Sequence, residues 1–232
     1  MEPLLPRAGT PLARRDFFKR AGTGVGVVAA ASLLQACDST DGDTNDADVT
    51  LDFSTDVGVL NYAYALEQLE AAFYAQVIAN SAFTTVFSAA EQVILRDIAA
   101  HEALHDDYFR TTLTSVAPTG IIPRLTVDFS TINFATRAGV LSVAQTFEDL
   151  GVSAYNGAGQ YIQNDAYLLI AGKIVSVEAR HASIIAGLIS PNSVASAGQL
   201  DANALDNDKT PQEVLMAAGT YIVETIAVTG TN

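Results

Sequence analysis

Between residues 57 and 82 apolar side chains recur at helical spacing, with Leu60, Tyr64, Ala71, Tyr74 and Ile78 on one stripe and Val59, Ala63, Leu66, Phe73 and Val77 beside it. The pattern predicts a long amphipathic helix. A second is expected from Ser88 to about residue 116, because the Ser88 hydroxyl can cap while Glu91 reaches back, and Ile94, Ile98, His105 and Phe109 follow at helical intervals. A connector of about twenty residues carries Pro118, Gly120 and Pro123 and ends the pattern. The periodicity resumes over residues 138–162 and again over 165–188, and Thr210-Pro211-Gln212-Glu213 reads as the start of a short last helix. Two short-loop helix pairs joined by one long connection describe an all-α four-helix bundle with a crossover and a short C-terminal helix, over residues 55–232. No stretch alternates with period two long enough to predict a sheet, so residues 121–134 read as loop.

The segment ahead of the bundle follows a different logic. A basic stretch ends in Arg14-Arg15-Asp16-Phe17-Phe18-Lys19, and an uncharged run rich in Gly and Ala occupies residues 21–36. This resembles the bacterial twin-arginine signal, and its apolar run falls short of the roughly twenty residues that span a bilayer. Residues 33–37, Leu33-Leu34-Gln35-Ala36-Cys37, resemble a lipoprotein processing site, although Gln35 stands where a small residue is usual. Residues 1–37 are therefore expected to be an export signal ending at a lipidated Cys37, which would hold the protein on a membrane surface. Residues 38–54 begin with an aspartate-rich run and are expected to form a flexible acidic tether.

Charge narrows the partners. The chain carries 12 Lys and Arg against 26 Asp and Glu, a net charge of −14. Five of those cations, with only Glu2 and Asp16 opposing them, fall in the first 36 residues, so the remainder holds 7 cations against 24 acids. Such a surface repels phosphate backbones and argues against nucleic-acid binding. With Cys37 as the only cysteine, a disulfide scaffold is excluded.

The candidate chemistry lies in a repeated frame. Two of the three histidines occur in Glu102-Ala103-Leu104-His105 and Glu178-Ala179-Arg180-His181. In a helix, residues i and i+3 lie about 60° apart and about 4.5 Å along the axis, so each pair can offer oxygen and nitrogen to one ion. The helix preceding each pair supplies an apolar-face glutamate, Glu67 and Glu148, followed seven residues later by Tyr74 and Tyr155. The first-helix pairs are offset by 81 residues and the Glu-x-x-His pairs by 76, which points to an internal duplication. One Glu from each of two helices and Glu-x-x-His from each of the other two is the ligand inventory of carboxylate-bridged dinuclear iron or manganese bundles.

These segments, together with Leu66-Glu67-Gln68-Leu69-Glu70-Ala71-Ala72-Phe73-Tyr74, resemble the exported bacterial ferritin-like domain proteins, over about residues 55–225. The resemblance implies Glu67 and Glu148 as terminal carboxylates, Glu102 and Glu178 as bridges between two iron ions, with manganese the alternative, and His105 and His181 as one cap each. Tyr74 and Tyr155 are then either hydrogen-bond donors to the carboxylates or plain core aromatics. Glu70, one turn beyond Glu67, is a second candidate on the first helix, and the match to Glu148 favours Glu67.

Two classes of function follow from the resemblance. The first is an oxidoreductase of the cell envelope, taking O₂, peroxide or ferrous iron as a ferroxidase or peroxidase in oxidative-stress defence, with electrons from a separate donor. No cysteine remains for a fused thiolate-ligated iron module of the rubrerythrin kind. The second is a non-catalytic stress or desiccation protein whose metal is structural or lost. A homodimer is compatible with either. His101-Glu102-x-x-His105 also spells the zinc-protease motif, a reading that leaves Glu67, Glu148, Glu178 and His181 without a role.

Overall fold

The computed structural model describes residues 47–231. The twin-arginine motif, Cys37 and the aspartate-rich run up to residue 46 lie outside the described residues.

Each helix starts where a side chain can satisfy its free N–H groups. Helix α1, Asp56–Ala79, is capped by Thr55, whose hydroxyl accepts from the Gly58 amide. A single turn, α2 (Phe83–Val86), leads to α3, Ala89–Val116, which opens with the Ser88/Glu91 capping box. Helix α4, Arg137–Ala158, is capped by Thr136 and closes in a 3₁₀ turn, Gly159–Tyr161, so the helix expected to reach residue 162 tightens over its last turn. Helix α5, Asp165–Ile189, is capped by Asn164, and α6, Pro211–Ala218, by Thr210 and Glu213 with Pro211 in its first turn.

Helix α1 packs along α3 and α4 along α5, and the two hairpins meet between α1 and α4. The 20-residue crossover, residues 117–136, lies over α1. This explains why α1 is buried almost all round from Gly58 to Glu70 rather than along two stripes. Two amides on α1 hold the crossover as a neighbouring strand would. Asn61 Nδ2 donates to Gly120 O at 2.7 Å and its Oδ1 accepts from Ile122 N at 2.9 Å, while Gln68 Oε1 accepts from Leu125 N at 2.8 Å. Burying Asn61 and Gln68 is thereby compensated by hydrogen bonds.

The structure departs from the sequence expectation at both ends of the bundle. Strand β1, Val49–Asp52, pairs in parallel with β2, Ile226–Thr229, in the register Val49↔Ile226 to Asp52↔Thr229. Residues 47–54, assigned to the flexible tether, are thus part of the folded domain: Val49, Leu51 and Phe53 are buried, and Phe53 meets Tyr62 and Tyr161 edge-on at 5.2 Å. Four-residue strands whose partners lie far away in sequence leave too little alternation to read. Gly58 is required by this closure, because a Cβ there would sit 1.9 Å from the Asp52 carbonyl oxygen. The crossover also touches the C-terminal segment, with Val223 N donating to Thr126 O at 2.9 Å and Asp128 N to Tyr221 O at 3.0 Å. Among the described residues no helix is long and apolar enough to cross a membrane.

Candidate metal centre

Capped starts and helical repeat place Glu67 on α1, Glu102 and His105 on α3, Glu148 on α4, and Glu178 and His181 on α5. All four carboxylates are 0 % exposed, in the interior where the two hairpins face one another. The six side chains form two overlapping groups of potential ligands: Glu67, Glu102, His105 and Glu178 in one, and Glu102, Glu148, Glu178 and His181 in the other. Within each group the donor atoms lie within 4.8 Å of one another. Glu102 and Glu178 belong to both.

Both imidazoles turn Nδ1 inward. His105 Nδ1 lies 2.9 Å from Glu178 Oε1, 3.3 Å from Glu102 Oε2 and 3.4 Å from Glu67 Oε2. His181 Nδ1 lies 2.8 Å from Glu102 Oε1, 3.3 Å from Glu178 Oε2 and 3.4 Å from Glu148 Oε2. One N–H cannot serve three carboxylates. One oxygen of each glutamate (Glu67 Oε2, Glu102 Oε1, Glu148 Oε2 and Glu178 Oε1) is buried with no aligned hydrogen bond, its nearest polar neighbour being an Nδ1 that it shares with two other carboxylates. Under-satisfied carboxylate oxygens converging on a common centre are costly unless a cation takes them, and a set of oxygen donors with two imidazoles suits divalent iron or manganese. The donor set fits a metal pair.

The tyrosines are exchanged between helices. Tyr74 on α1 donates to Glu148 on α4 at 2.5 Å, and Tyr155 on α4 donates to Glu67 on α1. Each follows a glutamate by seven residues in sequence, yet it orients the glutamate of the opposite helix. Both hydroxyls are buried and held well above their usual pKa, first by burial and then by the neighbouring carboxylates.

The electrostatics show how the site accommodates its charge with protons alone. Burial pushes Glu67 and Glu148 up to about 8, against the lowering effect of His105 and His181 respectively. Burial also acts upward on Glu102, but contacts with both imidazoles outweigh it and bring that carboxyl down to about 2. Burial opposes charging of His105 and His181, and the surrounding carboxylates overcome it, raising both to about 12. Bound protons here occupy the place of positive charge that a metal pair would supply.

Glu70 belongs to neither ligand group, although its carboxyl feels the charge of all four ligand glutamates. It is 4 % exposed, and burial holds its carboxyl well above the ordinary range. Its Oε1 occupies space left by Gly151 of α4, where a Cβ would come within 3.1 Å. The sequence offers Glu70 as a second candidate ligand on the first helix, and the structure leaves it outside the ligand set. The 81-residue offset carries the missing signal, since it makes Gly151 the counterpart of Glu70.

The zinc-protease reading is corrected by the position of His101. That side chain belongs to neither ligand group, and its Nδ1 lies 2.9 Å from His181 Nε2, with the two ring planes 13° apart and their centroids 5.1 Å apart, an edge-to-edge arrangement. His105 turns Nδ1 to three glutamates instead, so the two histidines of the motif serve different neighbours.

No curated protein matches the sequence. The family model of the ferritin-like domain matches residues 55–191, from the cap of α1 to just beyond α5 and across all six candidate ligands, and the chain belongs to that family.

Proposed function

We propose that this protein is a dinuclear iron or manganese carboxylate oxidoreductase that consumes ferrous iron or peroxide. The observation that carries the reading is the set of four buried carboxylate oxygens without an aligned hydrogen bond, one from each of Glu67, Glu102, Glu148 and Glu178, converging on two imidazole nitrogens too few to satisfy them. Glu102 and Glu178, shared by both ligand groups, would bridge the ions, with Glu67 and His105 on one ion and Glu148 and His181 on the other. Two adjacent ions of this kind supply one electron each to O₂ or peroxide. The protein fixes the terminal carboxylates through Tyr155 and Tyr74 and keeps bulk water from the carboxylates.

Export by a twin-arginine route, anchoring through a lipidated Cys37 at the cell envelope, and electrons from a separate donor complete the proposal. Support for these comes from the sequence features of residues 1–37 and the single cysteine.

The test is metal analysis of the protein produced with iron and manganese, alongside a Glu102→Ala/His181→Ala double variant, followed by consumption of ferrous iron with O₂ or peroxide. About two ions per chain in the parent, lost in the variant, together with turnover, is the expected result. Two ions that raise the melting temperature without turnover would make this a structural metal site in a stress protein. Absence of both ions would remove the metal reading.

A further inference from the structure

The two halves of the site are related by a 76-residue offset between α3 and α5, and that relation breaks at one position facing the histidines. His101 precedes His105 by one turn, and its counterpart preceding His181 is Val177. His101 does not serve its own helix partner: it reaches across to His181, with Nδ1 2.9 Å from Nε2 and the rings nearly parallel. His105 makes all of its polar contacts through Nδ1, and among the described residues no group hydrogen-bonds its Nε2.

On the proposed dinuclear reading, we infer that His101 is a positioning residue that makes the two ion positions unequal, the ion beside His181 being held more tightly than the ion beside His105. The argument is one of tautomers. A histidine that gives Nδ1 to a cation must carry its proton on Nε2. At His181 that N–H points to the Nδ1 lone pair of His101, which fixes the ring, selects the tautomer and makes the inward nitrogen a better donor. His101 then carries its own proton on Nε2, and its exposed position lets water accept it. The ring of His105, with its side chain 14 % exposed against 6 % for His181, has only solvent to do the same. Valine at position 177 offers no acceptor. The ligand atoms of the two positions match in kind, so the difference between them originates outside the ligand set.

The experiment is partial loading. Metal-free crystals receive one equivalent of Mn²⁺, and anomalous scattering gives the occupancy beside His181 and beside His105. Loss of such an outer hydrogen bond costs about 10- to 100-fold in metal affinity, so the expected occupancy ratio is at least about 10 to 1 in favour of His181. His101→Ala should bring the ratio close to 1, and His101→Asn, whose Oδ1 can replace the Nδ1 acceptor, should restore the preference. Val177→His, which offers His105 an equivalent partner, should also narrow it. His101 is exposed, so these variants are expected to fold, and an unchanged melting temperature of the metal-free form checks this. Equal occupancy in the parent, or an undiminished preference in His101→Ala, would overturn the inference while leaving the metal centre intact. Two positions that stay empty even in excess Mn²⁺ and Fe²⁺ would overturn the dinuclear reading together with it.

Discussion

The Tyr74 hydroxyl on α1 donates to Glu148 on α4 at 2.5 Å, an exchange mirrored by Tyr155 and Glu67. Each helix thus orients the carboxylate of the other, and the α1/α4 contact is tied to the geometry of the site. Tyr74→Phe would leave Glu148 without its donor in a fully buried setting. The metal-free variant should lose about 1–3 kcal/mol in denaturant unfolding, with Tyr155→Phe behaving alike. Unchanged midpoints in both would make the tyrosines plain core aromatics.

The metal-free protein should become less stable as pH rises from about 4.5 to 8. In that window the unfolded chain has released the Glu67 and Glu148 protons, ordinarily lost near 4.5, whereas the folded chain holds them until about 8. Above 6.5 the imidazoles, raised to about 12 in the fold, act in the same direction. Each such group contributes a slope of about 1.4 kcal/mol per pH unit. Glu102, lowered to about 2, acts with opposite sign only below 4.5. Calorimetry at pH 5.5 and 8 should show the higher melting temperature at the lower pH, and the reverse order would refute the protonated state described for the site.

Metal loading at neutral pH should release protons, because His105, His181, Glu67 and Glu148 each hold one that an ion displaces. Calorimetric titration in buffers of different ionisation enthalpy measures the number, with up to about four released per pair of ions. Release of none would contradict direct ligation by these groups.

Bridging and terminal carboxylates should differ in what their loss does. Glu178→Gln removes a ligand from both groups and is expected to abolish loading of the pair, whereas Glu67→Gln weakens only the ion it shares with His105. Ion counts by elemental analysis distinguish the two, and equal residual loading in both variants would argue against bridging.

Glu70→Leu is expected to stabilise the metal-free protein. The residue lines a small cavity with Leu66, Leu69, Phe147, Leu150 and Gly151, and burial holds its carboxyl well above the ordinary range, so an apolar side chain there removes the cost of burying a polar group, about 1–3 kcal/mol. A lower unfolding midpoint in the variant would show that the native carboxyl is compensated.

Periodicity and caps made the bundle legible, since Ser88/Glu91 and Thr210/Glu213 mark helix starts without help from tertiary contacts. The repeated Glu-x-x-His frame likewise brought forward the six residues that the fold gathers into two overlapping groups. What stayed hidden depended on pairs of residues distant in sequence. Tyr74 and Glu148 are 74 apart, His101 and His181 are 80 apart, and β1 finds its partner only near the other end of the chain. A helical pattern states which face is buried, but not which side chain on the facing helix receives a hydrogen bond.

The β1–β2 pairing has a mechanical consequence. The strands are parallel, so tension drawing the chain ahead of Val49 away from the chain after Thr229 runs along both strands in opposite senses. Rungs such as Val49 N to Thr225 O and Phe53 N to Thr229 O are then loaded together in shear rather than opened one at a time. A pull between the two ends meets this clasp before it reaches the helices, and the carboxylate cluster stays shielded until the clasp gives way.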